Sequence, residues 1–117
     1  MIESKFYYDV DKCPRAEYAP PNEMLGWYLE QDVQSSPTTC DELHSICIDV
    51  TSGDKGRWEG VGNAHSVLIE GENVTIENEF DDDAEPCTIP VKEFQNALKQ
   101  WKELIGGEIA KDNTTAN

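Results

Sequence analysis

Apolar residues recur every three or four positions near the carboxyl end of the chain, and this stripe constrains the fold more than any other feature. Its members are Val91, Phe94, Leu98, Trp101 and Ile105. A period close to 3.6 residues predicts an amphipathic helix whose apolar face must be covered by other elements. Pro90 suits the first turn of this helix, and the pair Gly106-Gly107 predicts its end.

A second stripe predicts a helix over residues 40–52. Its apolar positions are Leu43, Ile46, Cys47 and Val50. Thr39 followed by Glu42 fits a capping box, in which the hydroxyl accepts from a backbone N–H and the carboxylate reaches back. Gly53 favours the left-handed residue that commonly closes a helix.

Alternating apolar and polar residues predict strands on both sides of this helix. Residues 63–70 and 73–80 flank Gly71-Glu72, a pair that predicts a hairpin turn. On the second strand of the hairpin, the expected inward side chains are Val74, Ile76 and Phe80. Further strands are predicted over 3–10, 57–62 and 87–89. On the first of these, Phe6, Tyr8 and Val10 share one face.

The segment between the first strand and the first helix leaves alternatives open. Its prolines predict a loop or an extended crossing over 11–22. In the next stretch, 23–33, a strand would align Leu25, Trp27 and Leu29. A helix would instead align Leu25, Tyr28, Leu29 and Val33. Because glycine costs a helix about 1 kcal/mol relative to alanine, Gly26 favours a strand that ends near Glu30.

These elements predict an α+β fold, in which a mostly antiparallel sheet packs against two or three helices. The length of 117 residues suits one domain. We assign that single domain to residues 1–107. Residues 108–117 have little apolar surface to bury and are expected to form a flexible tail.

The charge of the chain restricts its partners. It carries 24 acidic and 9 basic residues, a formal net charge of −15. Nucleic acids and anionic membranes would be repelled, so a cationic partner is expected instead. No stretch reaches the roughly 20 apolar residues of a membrane-spanning helix, and the first residues do not resemble a signal peptide. A soluble intracellular protein with free cysteines is therefore expected.

Catalytic motifs are not evident. The chain has two histidines, His44 and His65, and no phosphate-binding, dinucleotide-binding or nucleophile motif accompanies them. His65 has the strand parity of Val67 and Ile69 and is expected to point inward as a structural residue. Neither catalysis nor a cofactor is predicted.

A metal site is the sharper alternative. Cys40, His44 and Cys47 lie at positions i, i+4 and i+7 of the predicted helix, and Cys87 would complete a Cys₃His set suited to zinc. Two of these residues also lie on the apolar stripe, where free cysteine behaves as a small apolar side chain. Core packing is therefore the favoured interpretation, and no metal is predicted.

Acidic residues are concentrated in one span. From Trp58 to Val91 there are nine acidic residues and no basic one. Because neighbouring like charges repel one another, this span is either a solvated face or a docking face for a basic protein. The candidate partner-binding residues are Glu72, Glu77, Glu79, Asp81, Asp82 and Asp83. Tyr7 and Tyr28 are additional candidate hot spots, provided that they are exposed.

Three blocks of the sequence carry a resemblance. They are EMLGWYLEQDV, RWEGVGNAHSVLIEGENVTIENEF and IPVKEFQNALKQWKELI. Together they resemble the small acidic immunity proteins of bacterial contact-dependent growth inhibition systems, most of all in the hairpin followed by Phe94, Leu98 and Trp101. The resemblance implies a cytoplasmic, non-enzymatic antitoxin that covers the active site or substrate groove of a cognate toxin domain, commonly a nuclease. It implies no particular interface residue, because each immunity protein fits its own toxin.

The resemblance and the charge lead to one expectation. A monomer or weak dimer would dock on a basic toxin domain, and the acidic residues would stand in for substrate phosphates. One alternative is an acidic regulatory binding module, or a DNA mimic, that acts on a basic host protein. Another is a small enzyme that uses His65.

Overall fold

The computed structural model describes the backbone of residues 3–116 and the side chains of residues 3–106. The helices are α1 (Glu23–Tyr28), α2 (Pro37–Ser52) and α3 (Val91–Ala116), with a π-helical turn (Leu29–Val33) directly after α1. The strands are β1 (Ser4–Tyr8), β2 (Pro14–Tyr18), β3 (Arg57–Val61), β4 (His65–Glu70), β5 (Asn73–Asn78) and β6 (Cys87–Pro90). Strands β1 and β2 pair antiparallel, and a second antiparallel sheet has the order β3-β4-β5-β6. The predicted α+β class is confirmed.

The apolar stripe of α3 forms the centre of the core. All five predicted members are buried: Val91, Phe94, Leu98, Trp101 and Ile105. The predicted end of the helix at Gly106-Gly107 is wrong, since α3 continues to Ala116. Glycine lowers helix propensity without excluding helical backbone angles. The side chains of residues 108–117 lie outside the described part of the chain. The flexible tail expected there stays a prediction.

Helix α2 is confirmed but begins earlier than predicted. Its first residue is Pro37, and the hydroxyl of Ser36 caps it by accepting from the Thr39 N–H at 3.2 Å. The predicted capping box of Thr39 and Glu42 is therefore wrong, because Ser36 and the proline after it suit a helix start better. Gly53 closes the helix with φ +91°, as predicted.

The predicted strand over 23–30 is wrong, because this segment forms α1 and the π-helical turn. The helical alternative correctly gives its buried face, which consists of Leu25, Tyr28, Leu29 and Val33. Trp27 lies on the opposite side and is 45% exposed. Gly26 serves close packing, since a Cβ there would lie 2.1 Å from the carbonyl oxygen of Ala16 on β2.

The predicted strands of the second sheet are confirmed, including the hairpin. Strands β4 and β5 join at Gly71, which has φ +61°. Strand β5 ends at Asn78, so the predicted inward position of Phe80 is wrong and this side chain is 81% exposed. Val10 is likewise 98% exposed, because β1 ends at Tyr8. The extended alternative for 11–22 is confirmed by β2.

Candidate functional site

Five of the six predicted partner-binding residues form one exposed patch. We call this patch the acidic surface; it consists of Glu77, Glu79, Asp81, Asp82 and Asp83, all exposed. Four of them, all except Asp83, line an open groove of about 320 Å³. Glu72 is also exposed but lies in the β4–β5 turn. It is five strand residues from Glu77, roughly 16 Å, so the structure sets it apart from the acidic surface.

Among the described side chains, no basic group neutralises the acidic surface. Within residues 3–106, none of its carboxylates lies within 4.0 Å of a lysine or arginine nitrogen. The arginines are used elsewhere, Arg15 on Asp9 and Glu30, and Arg57 on Glu59 and Glu70. The negative potential of this patch is therefore directed at solvent, where it attracts cationic groups.

Short hydrogen-bonded turns hold the acidic surface in shape. The Phe80 N–H donates to Oδ1 of Asn78 at 2.8 Å, and the Asp83 N–H donates to Oδ1 of Asp81 at 3.0 Å. These are the local side-chain-to-backbone bonds typical of Asx turns. The Glu79 N–H donates to the carbonyl of Ala64 at 2.9 Å, which ties the segment to the start of β4.

Phe80 is a part of this surface that the sequence pattern placed in the core. It lies between Glu79 and Asp81 with its ring in solvent. Exposed aromatic rings are enriched at protein interfaces, where their apolar area is buried by the partner. Asn78 is the sequence signal for this exposure, because asparagine near the end of a strand favours a turn and removes Phe80 from the alternation of β5.

The two tyrosines differ from freely exposed docking residues. Tyr28 is only 6% exposed and its ring packs against Phe94, so it lacks the exposure on which its candidacy as a hot spot depends. Burial raises its pKa well above the usual value. Tyr7 is half-buried on β1, where its hydroxyl donates to Glu17 and the Lys5 ammonium lies 4.9 Å from the ring centre.

The two histidines differ in their access to solvent. His65 points inward as predicted and is 1% exposed, so it presents no surface to a substrate. His44 lies exposed on α2, and the Cys40 thiol near it is buried. Burial raises the pKa of Cys40 to about 11, which disfavours the thiolate that nucleophilic catalysis requires. The absence of enzymatic activity stays a prediction.

The four candidate zinc ligands do not converge. Cys40 and Cys47 are buried on the core side of α2, whereas His44 is exposed to solvent. Cys87 lies elsewhere, with its sulfur 3.7 Å from Oδ1 of Asn22. Among the side chains that the structure describes, no group of three or more histidine, cysteine or acidic residues is arranged to hold a metal ion.

Thiol reactivity gives a direct check of this arrangement. All four cysteines are free, and only Cys13 is exposed. Burial raises the pKa of Cys40 and Cys47 to about 11, and it also raises the pKa of Cys87. At pH 8 a thiol of pKa 11 is ionised in roughly one molecule in a thousand. We expect Ellman's reagent to label one thiol rapidly in the folded protein and all four in denaturant.

The matched control for this labelling is Cys13→Ser. It should lose the rapid phase and keep three thiols that react only after unfolding. Two or more rapid thiols in the folded protein would contradict the burial of Cys40, Cys47 and Cys87.

No helix within the described residues is long and apolar enough to cross a membrane. No protein family, curated protein or solved structure matches this chain.

Proposed function

We propose that this protein is an immunity protein, which binds and neutralises a cognate bacterial toxin domain in the cytoplasm. The favoured partner is a basic nuclease domain. The observation that carries the proposal is the acidic surface, whose exposed carboxylates have no basic neighbour within residues 3–106. Phe80 supplies exposed apolar area at the same place. The sequence blocks that resemble immunity proteins give the biological setting.

The mechanism is occlusion guided by charge. A nuclease must hold a polyanion, so its substrate groove is lined with basic groups. The acidic surface would occupy that groove and place carboxylates where phosphates bind. Complementary charges raise the association rate well above that of neutral partners. Such inhibition is stoichiometric and needs no catalytic residue or cofactor in the inhibitor.

A second candidate is an acidic regulatory module or DNA mimic that acts on a basic host protein. The same surface favours it, since any protein that binds a polyanion presents complementary charge. The two candidates differ in the partner: a toxin kills the cell when this protein is absent, whereas a host protein is merely deregulated.

Charge reversal of the acidic surface tests the proposal. We expect Glu77→Lys combined with Asp82→Lys to abolish protection, because it repels the basic groove that the wild-type surface attracts. The measurement is survival of recipient cells that lack this gene, carry either version on a plasmid, and grow in contact with the parental toxin-producing strain.

The matched control makes the same change of net charge at a different place on the surface. Asp54→Lys combined with Glu103→Lys reverses two exposed carboxylates outside the acidic surface and gives the same net charge. It should protect like wild type, and circular dichroism should show that both double variants are folded. Full protection by the Glu77 and Asp82 double variant would refute docking through the acidic surface.

A further inference from the structure

A small cleft lies between α2, strand β3 and the segment that runs from α1 into the π-helical turn. Its volume is about 220 Å³, below the roughly 300–1,000 Å³ of pockets for drug-sized ligands. Its walls combine the aromatic rings of Tyr28 and Trp58 with the carboxylates of Asp32 and Glu42. The size and the lining suit one long cationic side chain.

Asp32 is a buried carboxylate with no lysine or arginine beside it in the described part of the chain. Its side chain is 3% exposed, and its two oxygens accept from the N–H groups of Ala64 at 3.0 Å and His65 at 2.9 Å. Within residues 3–106, no lysine or arginine nitrogen lies within 4.0 Å of it. The ring Nδ1 of His65 is 3.6 Å away, beyond hydrogen-bonding distance. Buried charges are ordinarily paired, so Asp32 offers a cation an unfilled position.

Two glycines let the backbone pack closely against the indole and the carboxylate that line the cleft. A Cβ on Gly60 would lie 2.2 Å from the indole of Trp58, and a Cβ on Gly62 would lie 2.5 Å from Oδ2 of Asp32. The strand therefore has no side chain at the points where it meets the indole and the carboxylate. Glu42, exposed on α2, adds a second carboxylate to the lining.

We propose that this cleft binds one arginine side chain of the protein partner, with the guanidinium plane against Trp58 and its N–H groups directed at Asp32 and Glu42. Arginine is favoured over lysine because its guanidinium is planar, weakly hydrated, stacks on aromatic rings and pairs with carboxylates through two parallel bonds. The inference rests on the proposed function, since it assumes a basic partner.

Backbone hydrogen bonds at Ala64 link the cleft to the acidic surface, and we expect one partner to cover both. The Ala64 N–H binds Asp32, while the Ala64 carbonyl accepts from the Glu79 N–H at 2.9 Å. The turn that forms one wall of the cleft is thus bonded directly to the segment that carries the acidic residues. An arginine in the cleft would anchor a partner whose other basic groups lie on the acidic surface.

The test uses Nα-acetyl-arginine amide as the probe, titrated into the protein and followed by the indole N–H signals in two-dimensional NMR. We expect a saturable shift of the Trp58 signal. The Trp101 indole, which is buried and donates to the carbonyl of Gln34 at 2.7 Å, should not move. Nα-acetyl-alanine amide should have no effect. The absence of a saturable shift, or an equal shift with the alanine compound, would overturn the inference.

Matched variants locate the binding. Val61 lines the cleft and is 72% exposed, so Val61→Lys places a competing cation there without disturbing the core. We expect it to weaken probe binding by about tenfold or more, because the added ammonium repels the guanidinium of the probe. Val10→Lys, at a position 98% exposed on a different turn, should bind like wild type. Equal affinities in the two variants would overturn the inference.

A second variant keeps the test valid if Val61→Lys does not fold. Glu42→Gln keeps the shape of an exposed side chain and removes one carboxylate, so it should also weaken probe binding. Because the titration contains no toxin, binding of the probe stands even when the proposed function fails. If wild-type protein protects cells and folded Val61→Lys protects equally well, the arginine site is wrong and the proposed function stands.

Discussion

Replacing Trp101 by alanine is expected to lower the free energy of unfolding by about 3–5 kcal/mol, the usual cost of removing a buried aromatic side chain. The indole is 0% exposed and lies against Phe6, with 6.4 Å between ring centres. Its Nε1–H donates to the carbonyl of Gln34 at 2.7 Å, which joins α3 to the segment after the π-helical turn. Alanine would leave a cavity and remove that donor. Since small domains are stable by about 5–15 kcal/mol, the loss should be visible as a much lower urea midpoint.

Trp27→Ala is the matched control for this loss. Its side chain is 45% exposed, so the change in stability should be within about 1 kcal/mol. Urea unfolding followed by circular dichroism measures both variants. Equal losses would contradict the helix over 23–28, because only a strand would turn Trp27 inward together with Leu25.

Gly26→Ala is expected to destabilise the protein by about 1–3 kcal/mol, the range for overpacking a filled site. A Cβ would lie 2.1 Å from the carbonyl oxygen of Ala16 and 3.3 Å from the ring of Tyr18. The backbone of β2 cannot retreat freely, because the Ala16 N–H also donates to the Glu30 carboxylate at 2.8 Å. Helix α1 would have to shift away from β2. Thermal unfolding followed by circular dichroism measures the effect.

Gly106→Ala should act in the opposite direction. Gly106 is also helical, but nothing lies within 4 Å of a Cβ built there. Removing a helical glycine in open space should stabilise by up to about 1 kcal/mol. If both substitutions stabilise the protein, α1 and β2 are not in close contact at Gly26. Helix propensity alone would then determine the effect of Gly26→Ala.

The sequence predicts the elements whose periodicity is long and uninterrupted. The stripe from Val91 to Ile105 spans four helical turns, and no strand pattern fits it. The β4–β5 hairpin is equally well determined, because two alternating runs meet at a glycine that the turn requires. These elements fix the α+β class before any tertiary contact is considered.

The predictions fail where tertiary contacts override local pattern. The apolar residues of 23–33 fit both the two-residue period of a strand and the 3.6-residue period of a helix. Gly26 favours the strand only if helix propensity alone determines the structure. Its packing role depends on Ala16, which a local pattern cannot reveal. The prediction for Phe80 fails for a related reason. The alternation of apolar and polar residues cannot show that β5 ends at Asn78 and leaves the Phe80 ring in solvent.

The candidate sites divide in the same way. The exposure of the acidic surface follows from composition, because clustered carboxylates without bases cannot be buried. The arginine cleft is not predictable from local pattern. Asp32, Glu42 and Trp58 come from three separate elements, and only the fold brings them around one cavity.

Capture of the partner followed by an activity assay tests whether the acidic surface neutralises a basic toxin domain. Tagged wild-type protein and the Glu77→Lys, Asp82→Lys double variant are each used to capture partners from lysate of the native host. The captured domain is then assayed for nuclease activity with added wild-type protein. We expect that wild type alone captures a basic domain and abolishes its activity at one-to-one stoichiometry. Equal capture by the double variant, or full activity at saturation, would contradict it.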